Sequence, residues 1–309
     1  MRVVVTGGAG FIGANLVAEL LARRQVTEVR VVDDFSTGHK SNLAGLAVTL
    51  YEGSVLDPEL LDEAFAGADA VVHLAALPSV PRSVADPLAS HHANATGTLQ
   101  VLEAARRAGG PYVVAASSSS VYGANRELPK RETMRPAPMS PYAVGKLAAE
   151  SYLAAHHHCY GLDVLPLRFF NVFGPLQSAD HAYAAVVPAF LDAALAGRPL
   201  TVHGDGRQSR DFTYVGTVTE VLAEAVLRRV AHPDPVNLAF GTRTTLLELV
   251  AQLGTVLGQP PAVVHAAPRP GDVRDSQADG TRLRALFPGV VPVPLAEGLA
   301  RTAAWFRGR

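Results

Sequence analysis

Short runs of mainly apolar residues, many of them β-branched, recur through the first half of the chain at residues 3–5, 29–32, 48–51, 70–74, 112–116 and 164–167. A run that is apolar throughout, not at alternate positions, is the mark of a strand covered on both faces. Between these runs, residues 11–21, 58–65, 94–107 and 142–158 carry apolar positions three and four apart, which predicts helices. Strands that alternate with helices form a parallel sheet, because each crossover needs a helix to return the chain. The pattern therefore predicts an α/β fold with a doubly wound parallel (Rossmann) sheet.

After Asn171 the rhythm loosens and proline and glycine become more frequent, as at Pro188, Pro199, Gly204 and Gly206. Helical spacing still recurs at 186–195, 217–229, 246–257 and 295–306, with short strands between. Residues 1–171 are accordingly expected to form the sheet domain, with part of 210–240 returning to it. Residues 172–309 are expected to form a smaller C-terminal α/β domain.

The chain has 309 residues, 48% hydrophobic and 18% charged, enough to bury a sizeable core. A formal charge of −1 without long runs of one sign gives no electrostatic case for nucleic acid or an anionic membrane, and favours a small-molecule partner. One cysteine, Cys159, excludes an internal disulfide and suits a reducing compartment. The start, MRVVVTGG, enters a strand directly, and no apolar run approaches about 18 residues, so a cytoplasmic protein is expected.

The first run leads into TGGAGFIG, which spaces Gly7, Gly10 and Gly13 by three at the opening of the first helix. Glycine lets backbone approach a pyrophosphate, whose charge a helix N-terminus stabilises. Three glycines alone also suit a turn without ligand; the position after the first strand decides for a dinucleotide. The second strand ends in VVDD. Asp33 stands where a carboxylate would bond the ribose hydroxyls and repel a 2'-phosphate, which favours NAD over NADP, although either aspartate also suits a turn cap.

Only Lys40, Lys130 and Lys146 are lysines among 27 basic residues, and Lys146 lies four residues after a tyrosine in SPYAVGK. On a helix opened by Pro141, Tyr142 and Lys146 share one face, although such a pair also occurs on plain helix surface. An ammonium and the positive ring of an oxidised cofactor would both favour the phenolate; roughly 4 kcal/mol brings a tyrosine from about 10 to near 7, poised as a general base. Upstream, SSSSVYG places Ser117 to Ser120 at the end of the fifth strand, on the sheet edge where such folds bind ligands.

Together TGGAGFIG, Asp33, HLAALPSV, SSSSVYG and the Tyr142/Lys146 pair resemble the extended short-chain dehydrogenase/reductase superfamily, and within it the NAD-dependent sugar-nucleotide epimerases of the UDP-glucose 4-epimerase kind. The resemblance runs on through RFFNVFGP, LTVHGDGRQSRDFTYV and APRPGDVRDSQAD. It implies an isomerase in which Tyr142 takes the proton of the sugar 4-hydroxyl, Ser118 relays it and Lys146 holds the nicotinamide ribose, through a transient 4-keto sugar. It assigns NAD to Gly7, Gly10, Phe11, Ile12, Gly13, Asp33, Ser54, Val55, Leu74, Ala75, Ala76, Asn94 and Phe169, with Tyr142 and Lys146. It assigns the nucleotide sugar to Ser119, Ser120, Asn171, Val187, Thr201, Val202, His203, Arg210, Arg269, Asp272, Arg274 and Ser276. A homodimer built on helices 94–107 and 142–158 is implied too.

Departures sharpen the reading. Dehydratases and decarboxylases of this superfamily carry acidic residues where Ser119 and Ser120 stand, and glucuronate epimerases typically carry threonine at Asn171 and arginine at Ser178. C4 epimerisation of a neutral UDP-hexose is therefore expected, with the small Ser276 predicting room for an N-acetyl group. Many relatives have an aspartate at Ser54 for the adenine, and Leu77-Pro78 replaces the lysine or serine of the best-known members. A reductase or oxidase that releases its reduced cofactor and a non-catalytic dinucleotide sensor are the other readings; the latter ought to have lost Tyr142 or Lys146. No metal site is expected, because the consecutive residues of HHHC, 156–159, point in different directions on a helix. They are expected to end that helix before Gly161, with Cys159 partly buried.

Overall fold

The structure is a computed structural model and describes residues 1–179, 184–267 and 274–308. Six strands, β1 (Arg2–Thr6), β2 (Glu28–Asp33), β3 (Thr49–Glu52), β4 (Ala70–His73), β5 (Tyr112–Ser118) and β6 (Val164–Phe169), alternate with helices. The intervening helices are α1 (Phe11–Leu21), α2 (Pro58–Phe65), α3 (Val80–Ala85), α4 (Pro87–His91), α5 (Gly97–Arg107) and α6 (Pro141–Tyr160). Beyond them come β7 (Val172–Phe173), α7 (Val186–Leu195), β8 (Leu200–His203), β9 (Ser209–Arg210), β10 (Thr213–Tyr214), α8 (Val215–Arg228) and β11 (Val236–Leu238). The chain ends with β12 (Thr244–Thr245), α9 (Leu246–Leu257), β13 (Val263–Ala266), α10 (Thr281–Leu286) and α11 (Leu295–Arg307).

Seven strands form one parallel sheet in the order β11-β6-β5-β4-β1-β2-β3, the doubly wound arrangement that the apolar runs predict. Alternate residues of β1 serve opposite faces: Val3 and Val5 pack with α1 and α8, whereas Val4 packs with Leu61, Phe65, Leu102 and Leu153 of α2, α5 and α6. Both faces are thus dry, so a polar group inside has to find its partners within the protein. A separate core of Phe173, Phe190, Leu191, Leu200, Leu249, Leu253 and Leu299 holds α7, β8, α9 and α11 together. α8 returns to pack on α1, and β11 extends the sheet beside β6.

Local departures from the periodic pattern have physical causes. The turn ahead of α5, His92–Thr96, is wound as a π-helix, so Asn94 lies in that wider turn and not in a regular α-helix. α6 runs to Tyr160 and is closed by Gly161 in the left-handed region, with φ 70°. Cys159, expected to be partly buried, is exposed, because α6 turns its buried face through His156. Among the described residues no group of three or more His, Cys, Asp or Glu is placed to hold a metal ion, and no helix is long and apolar enough to cross a membrane.

At the switch point of the sheet, where β1 and β4 run side by side, a buried histidine joins their ends. His73 Nδ1 lies 2.7 Å from Thr6 Oγ1, and its Nε2 lies 3.0 Å from Thr98 Oγ1. Thr98 donates to Asn94 O at 2.7 Å, so its oxygen accepts from Nε2–H, and Nδ1 accepts from Thr6. Thr6 in turn accepts from the amide of Ala75 at 3.3 Å. This directed chain, Ala75 to Thr6 to His73 to Thr98 to Asn94, uses the neutral imidazole only, and burial lowers the His73 pKa from 6.5 to about 3, with Lys146 adding to the shift. Below pH 6.5 the unfolded chain therefore binds a proton that the folded chain refuses, and stability falls with pH by up to about 1.4 kcal/mol per unit from this group alone. In urea titrations between pH 7 and 5, wild type is expected to lose stability faster than His73→Gln, which cannot titrate. Equal slopes would show that His73 is not held neutral.

Candidate active site

The glycine loop forms because two backbones meet where a side chain has no room. A Cβ on Gly7, whose φ is 71°, would stand 2.6 Å from Ala75 N, and one on Gly13 would stand 2.1 Å from Gly7 O. Gly10 is the N-cap of α1, with no side chain capping it and no acid in the first turn, so the positive end of the helix faces the loop unneutralised. Phe11 and Ile12, in that first turn, are partly buried against the second core. Asp33 closes the loop from the end of β2, its oxygens accepting from Ala9 N at 2.8 Å and Phe35 N at 2.9 Å. Burial pushes its pKa up, and the two amides oppose the shift. An uncompensated helix N-terminus beside a fixed carboxylate suits the pyrophosphate and ribose of a dinucleotide.

The other residues assigned to the cofactor line the same edge. Leu74, Ala75 and Ala76 follow β4 and are partly exposed, and Leu74 N bonds Thr6 O at 3.0 Å. Val55 is buried against α5, while Ser54 uses its hydroxyl to accept from Leu56 N at 3.2 Å in a turn. Asn94 is buried, and its amide pins the loop after β4: Oδ1 accepts from Leu77 N at 3.2 Å and Nδ2 donates to Leu77 O at 3.1 Å. Phe169, at the end of β6, is partly buried against the first core.

The catalytic candidates converge where β5 meets α6. Ser140 caps α6 by accepting from Ala143 N at 3.2 Å, and Pro141 opens the first turn, which fixes Tyr142 and Lys146 one turn apart. Ser118, the last residue of β5, stands by the Tyr142 phenol, whose pKa it lowers, and accepts from Ser120 N at 3.2 Å. Lys146 is 4% exposed and donates to Ala116 O at 2.8 Å. Burial raises the Tyr142 pKa and only Ser118 opposes it, while burial brings Lys146 itself down to about 8 against the pull of Glu150. Ser120 keeps a buried hydroxyl oxygen without a hydrogen-bond partner, and Ser119 is partly exposed beside it.

Sequence reasoning missed Glu150, the next residue along that face of α6. Its Oε1 accepts from Ser117 Oγ at 2.5 Å and Arg168 Nε at 2.8 Å, and its Oε2 accepts from Arg168 Nη2 at 2.8 Å. The Arg168 guanidinium lies 4.7 Å from the Tyr122 ring, whose hydroxyl donates to Asn237 Oδ1 at 2.6 Å. A fully buried, bidentate pair ties α6 to the ends of β5 and β6, one turn from Lys146. The spacing of four from Lys146 was the available signal.

The segments assigned to the sugar nucleotide gather around β9. Asn171, strained at φ 20°, donates to Asp211 O at 3.2 Å. Arg210 Nη1 bonds Ser209 O at 2.9 Å and Arg274 O at 3.1 Å, and Ser276 N bonds Ser209 O at 3.1 Å. The Arg274 side chain is 72% exposed and pairs with Asp205 at 3.5 Å. Arg243, not foreseen, joins them, donating to Ser209 Oγ at 3.1 Å and Asp275 Oδ1 at 3.2 Å. Of the β8 residues, Thr201 is exposed and His203 bonds Ala267 O at 2.9 Å; Val202, like Val187 of α7, lies in the second core. Arg269 and Asp272 lie outside the described residues.

Comparison with known proteins agrees with this geometry. The chain matches the NAD dependent epimerase/dehydratase family over residues 3–239. It is 38% identical to the UDP-glucose 4-epimerase of Mycolicibacterium smegmatis, over 100% of this chain and 99% of that protein. Its structure is similar to the Thermus thermophilus UDP-glucose 4-epimerase in complex with NAD, with TM-score 0.90, 38% identity and coverage of 100% and 99%. It is similar also to the UDP-N-acetylglucosamine 4-epimerase of Methanobrevibacter ruminantium in complex with UDP-N-acetylmuramic acid, with TM-score 0.93, 36% identity and coverage of 99% and 98%. With a family match spanning most of its length, the chain belongs to the NAD-dependent epimerase/dehydratase family of nucleotide-sugar enzymes.

Proposed function

We propose that the chain interconverts the C4 epimers of a nucleotide hexose, UDP-glucose and UDP-galactose first among them. The observation that carries this reading is the meeting of Ser118, Tyr142 and Lys146 at the end of β5, with serines and no carboxylate at positions 119 and 120. NAD, held by the glycine loop, Asp33 and Lys146, supplies an acceptor that takes a hydride from the sugar and gives it back.

The chain's own groups manage the proton. Tyr142 receives the proton of the 4-hydroxyl, and Ser118, beside the phenol, passes it between sugar and tyrosine. Lys146, anchored on Ala116 O, offers its remaining N–H groups to the ribose of the dinucleotide. Asn171, Arg210, Arg269 and Arg274 hold the nucleotide diphosphate, a task for which guanidinium forks are suited. The hydroxyls of Ser119 and Ser120 face the sugar. A dehydratase would need an acid there to move a second proton, and Ser119 and Ser120 have none to offer. The two regions divide the work as 1–171 with α8 and β11 for the dinucleotide, and the rest of 172–309 for the nucleotide sugar.

Val84, Leu88, Val144 and Tyr152 are exposed on α3, α4 and α6, and we assign this face to a second copy of the chain in a homodimer.

Purified protein incubated with UDP-glucose is expected to yield UDP-galactose and no 4-keto-6-deoxy product, with NAD remaining bound through turnover. Tyr142→Phe should keep its NAD and lose about 10²–10⁴-fold in kcat, the usual value of general acid–base catalysis; undiminished turnover would defeat the proposal. UDP-N-acetylglucosamine should also turn over, since Ser276 is small; activity on UDP-glucose alone would remove that extension. Light scattering should give a dimer for wild type and monomers for Val144→Glu.

A further inference from the structure

Asp211, the residue after Arg210, is wholly buried, and its carboxylate accepts four hydrogen bonds. Oδ1 accepts from Thr242 N at 3.2 Å and Thr242 Oγ1 at 2.8 Å; Oδ2 accepts from Gly241 N at 3.1 Å and Ala278 N at 3.0 Å. Its main-chain oxygen accepts from Asn171 Nδ2 at 3.2 Å. One residue thus touches the segment after β6, the segment between β11 and β12, and the segment that follows Arg274. Each carries a residue placed at the nucleotide end of the site: Asn171 on the first, Arg243 on the second, Arg274 and Ser276 on the third.

We infer that Asp211 is a positioning residue for the substrate's diphosphate, which holds these three segments around Arg210 so that their polar groups face one anion. The inference rests on the nucleotide-sugar reading above. Two features favour a positioning role over a plain fold staple. All four donors are neutral and all four bonds run into the carboxylate oxygens, so no cation offsets the burial that pushes the Asp211 pKa up, and an apolar residue would avoid that cost. Its partners also lie on connecting segments that run from core to surface: Ala278 is buried beside Ala239 and Phe170, whereas Gly241 and Thr242 are partly or fully exposed and Arg274 is exposed, with its main-chain oxygen accepting from Ser209 N at 3.0 Å and from Arg210. Without Asp211 the strand pair of β9 and β12 would still hold Arg210, but Ala278 would lose its tie to it.

A carboxylate is the side chain with lone pairs for four donors, whereas asparagine has a single acceptor oxygen. The NAD-bound enzyme is titrated with UDP by calorimetry, and kcat and KM are measured with UDP-glucose. Asp211→Asn is expected to weaken UDP binding about tenfold and raise KM alike, the scale of one charge-assisted hydrogen bond, with a much smaller change in kcat and full NAD content. A lower melting temperature with unchanged UDP affinity would overturn the inference and leave Asp211 a staple of the fold. If Asp211→Asn does not fold, Thr242→Val decides, because it deletes one donor and keeps the carboxylate: a loss of UDP affinity supports the inference and unchanged affinity overturns it. Wild-type protein that fails to bind UDP would instead overturn the nucleotide-sugar reading, and this inference with it.

Discussion

The site depends on one close approach of backbone to backbone at the centre of the sheet. Gly7 lies so near Leu74 and Ala75 that a Cβ would fall 2.6–2.8 Å from their main-chain atoms, and Gly13 lets α1 come down onto Gly7 itself. This brings the helix N-terminus, the end of β1 and the end of β4 to one point, the switch point at which the chain winds to opposite sides of the sheet. The Thr6–His73–Thr98 chain then fixes the depth of that point from below, since each hydroxyl in it accepts one bond and donates one, all in the same direction. Asn94 inherits its place from the same chain and passes it to Leu77. The loop bordering the cleft is therefore set by a buried imidazole that never meets a ligand.

Two buried carboxylates organise the two ends of the cleft in different ways. Glu150 is charge-paired, with Arg168 spanning both its oxygens, and it fixes α6 against β5 next to Lys146. Asp211 has neutral donors only, from segments distant in the chain. Breaking a buried ion pair leaves an uncompensated charge and costs about 3–5 kcal/mol, so the Glu150 end is rigid for reasons of stability alone. The Asp211 end ties together three connecting segments by hydrogen bonds from neutral groups alone. The Tyr122–Asn237 bond links the two ends, because Asn237 also donates to Lys130 O at 2.8 Å and Asp279 O at 3.2 Å, the latter adjacent to Ala278.

What was legible in the sequence was what depends on near neighbours. Runs of mainly apolar residues gave the strands because both faces of the sheet are dry, and the glycine spacing gave the loop because its turn is local. The Tyr142/Lys146 pair was legible because one helix carries both. Glu150 and Asp211 were not, although they lie next to motifs that were read, since their partners are 18 to 67 residues away and nothing local announces them. Exposure misled at Cys159, where the turn of α6 and not the polarity of the neighbours sets the outcome. Val187 and Val202 fell into a motif assigned to the ligand, yet the periodicity of α7 and β8 sends them into the second core.

The protonation of the catalytic corner shows why local chemistry was the hardest part to read. A tyrosine one turn from a lysine suggested a phenolate, favoured jointly by that ammonium and by the positive ring of an oxidised cofactor. Burial acts on both and moves them toward each other, with the phenol up and the ammonium down to about 8. Both moves favour the neutral forms, as desolvation must. His73 obeys the same rule, and the pair of Glu150 and Arg168 cancels its own charge, so Lys146 is the group of this corner that titrates near neutrality. A phenolate therefore has to be drawn out by positive charge brought in against the buried oxygen, and the Ser118 hydroxyl gives the proton a path while that charge is in place. The fold supplies the position and the neighbouring hydroxyl, and it leaves the phenol protonated until then.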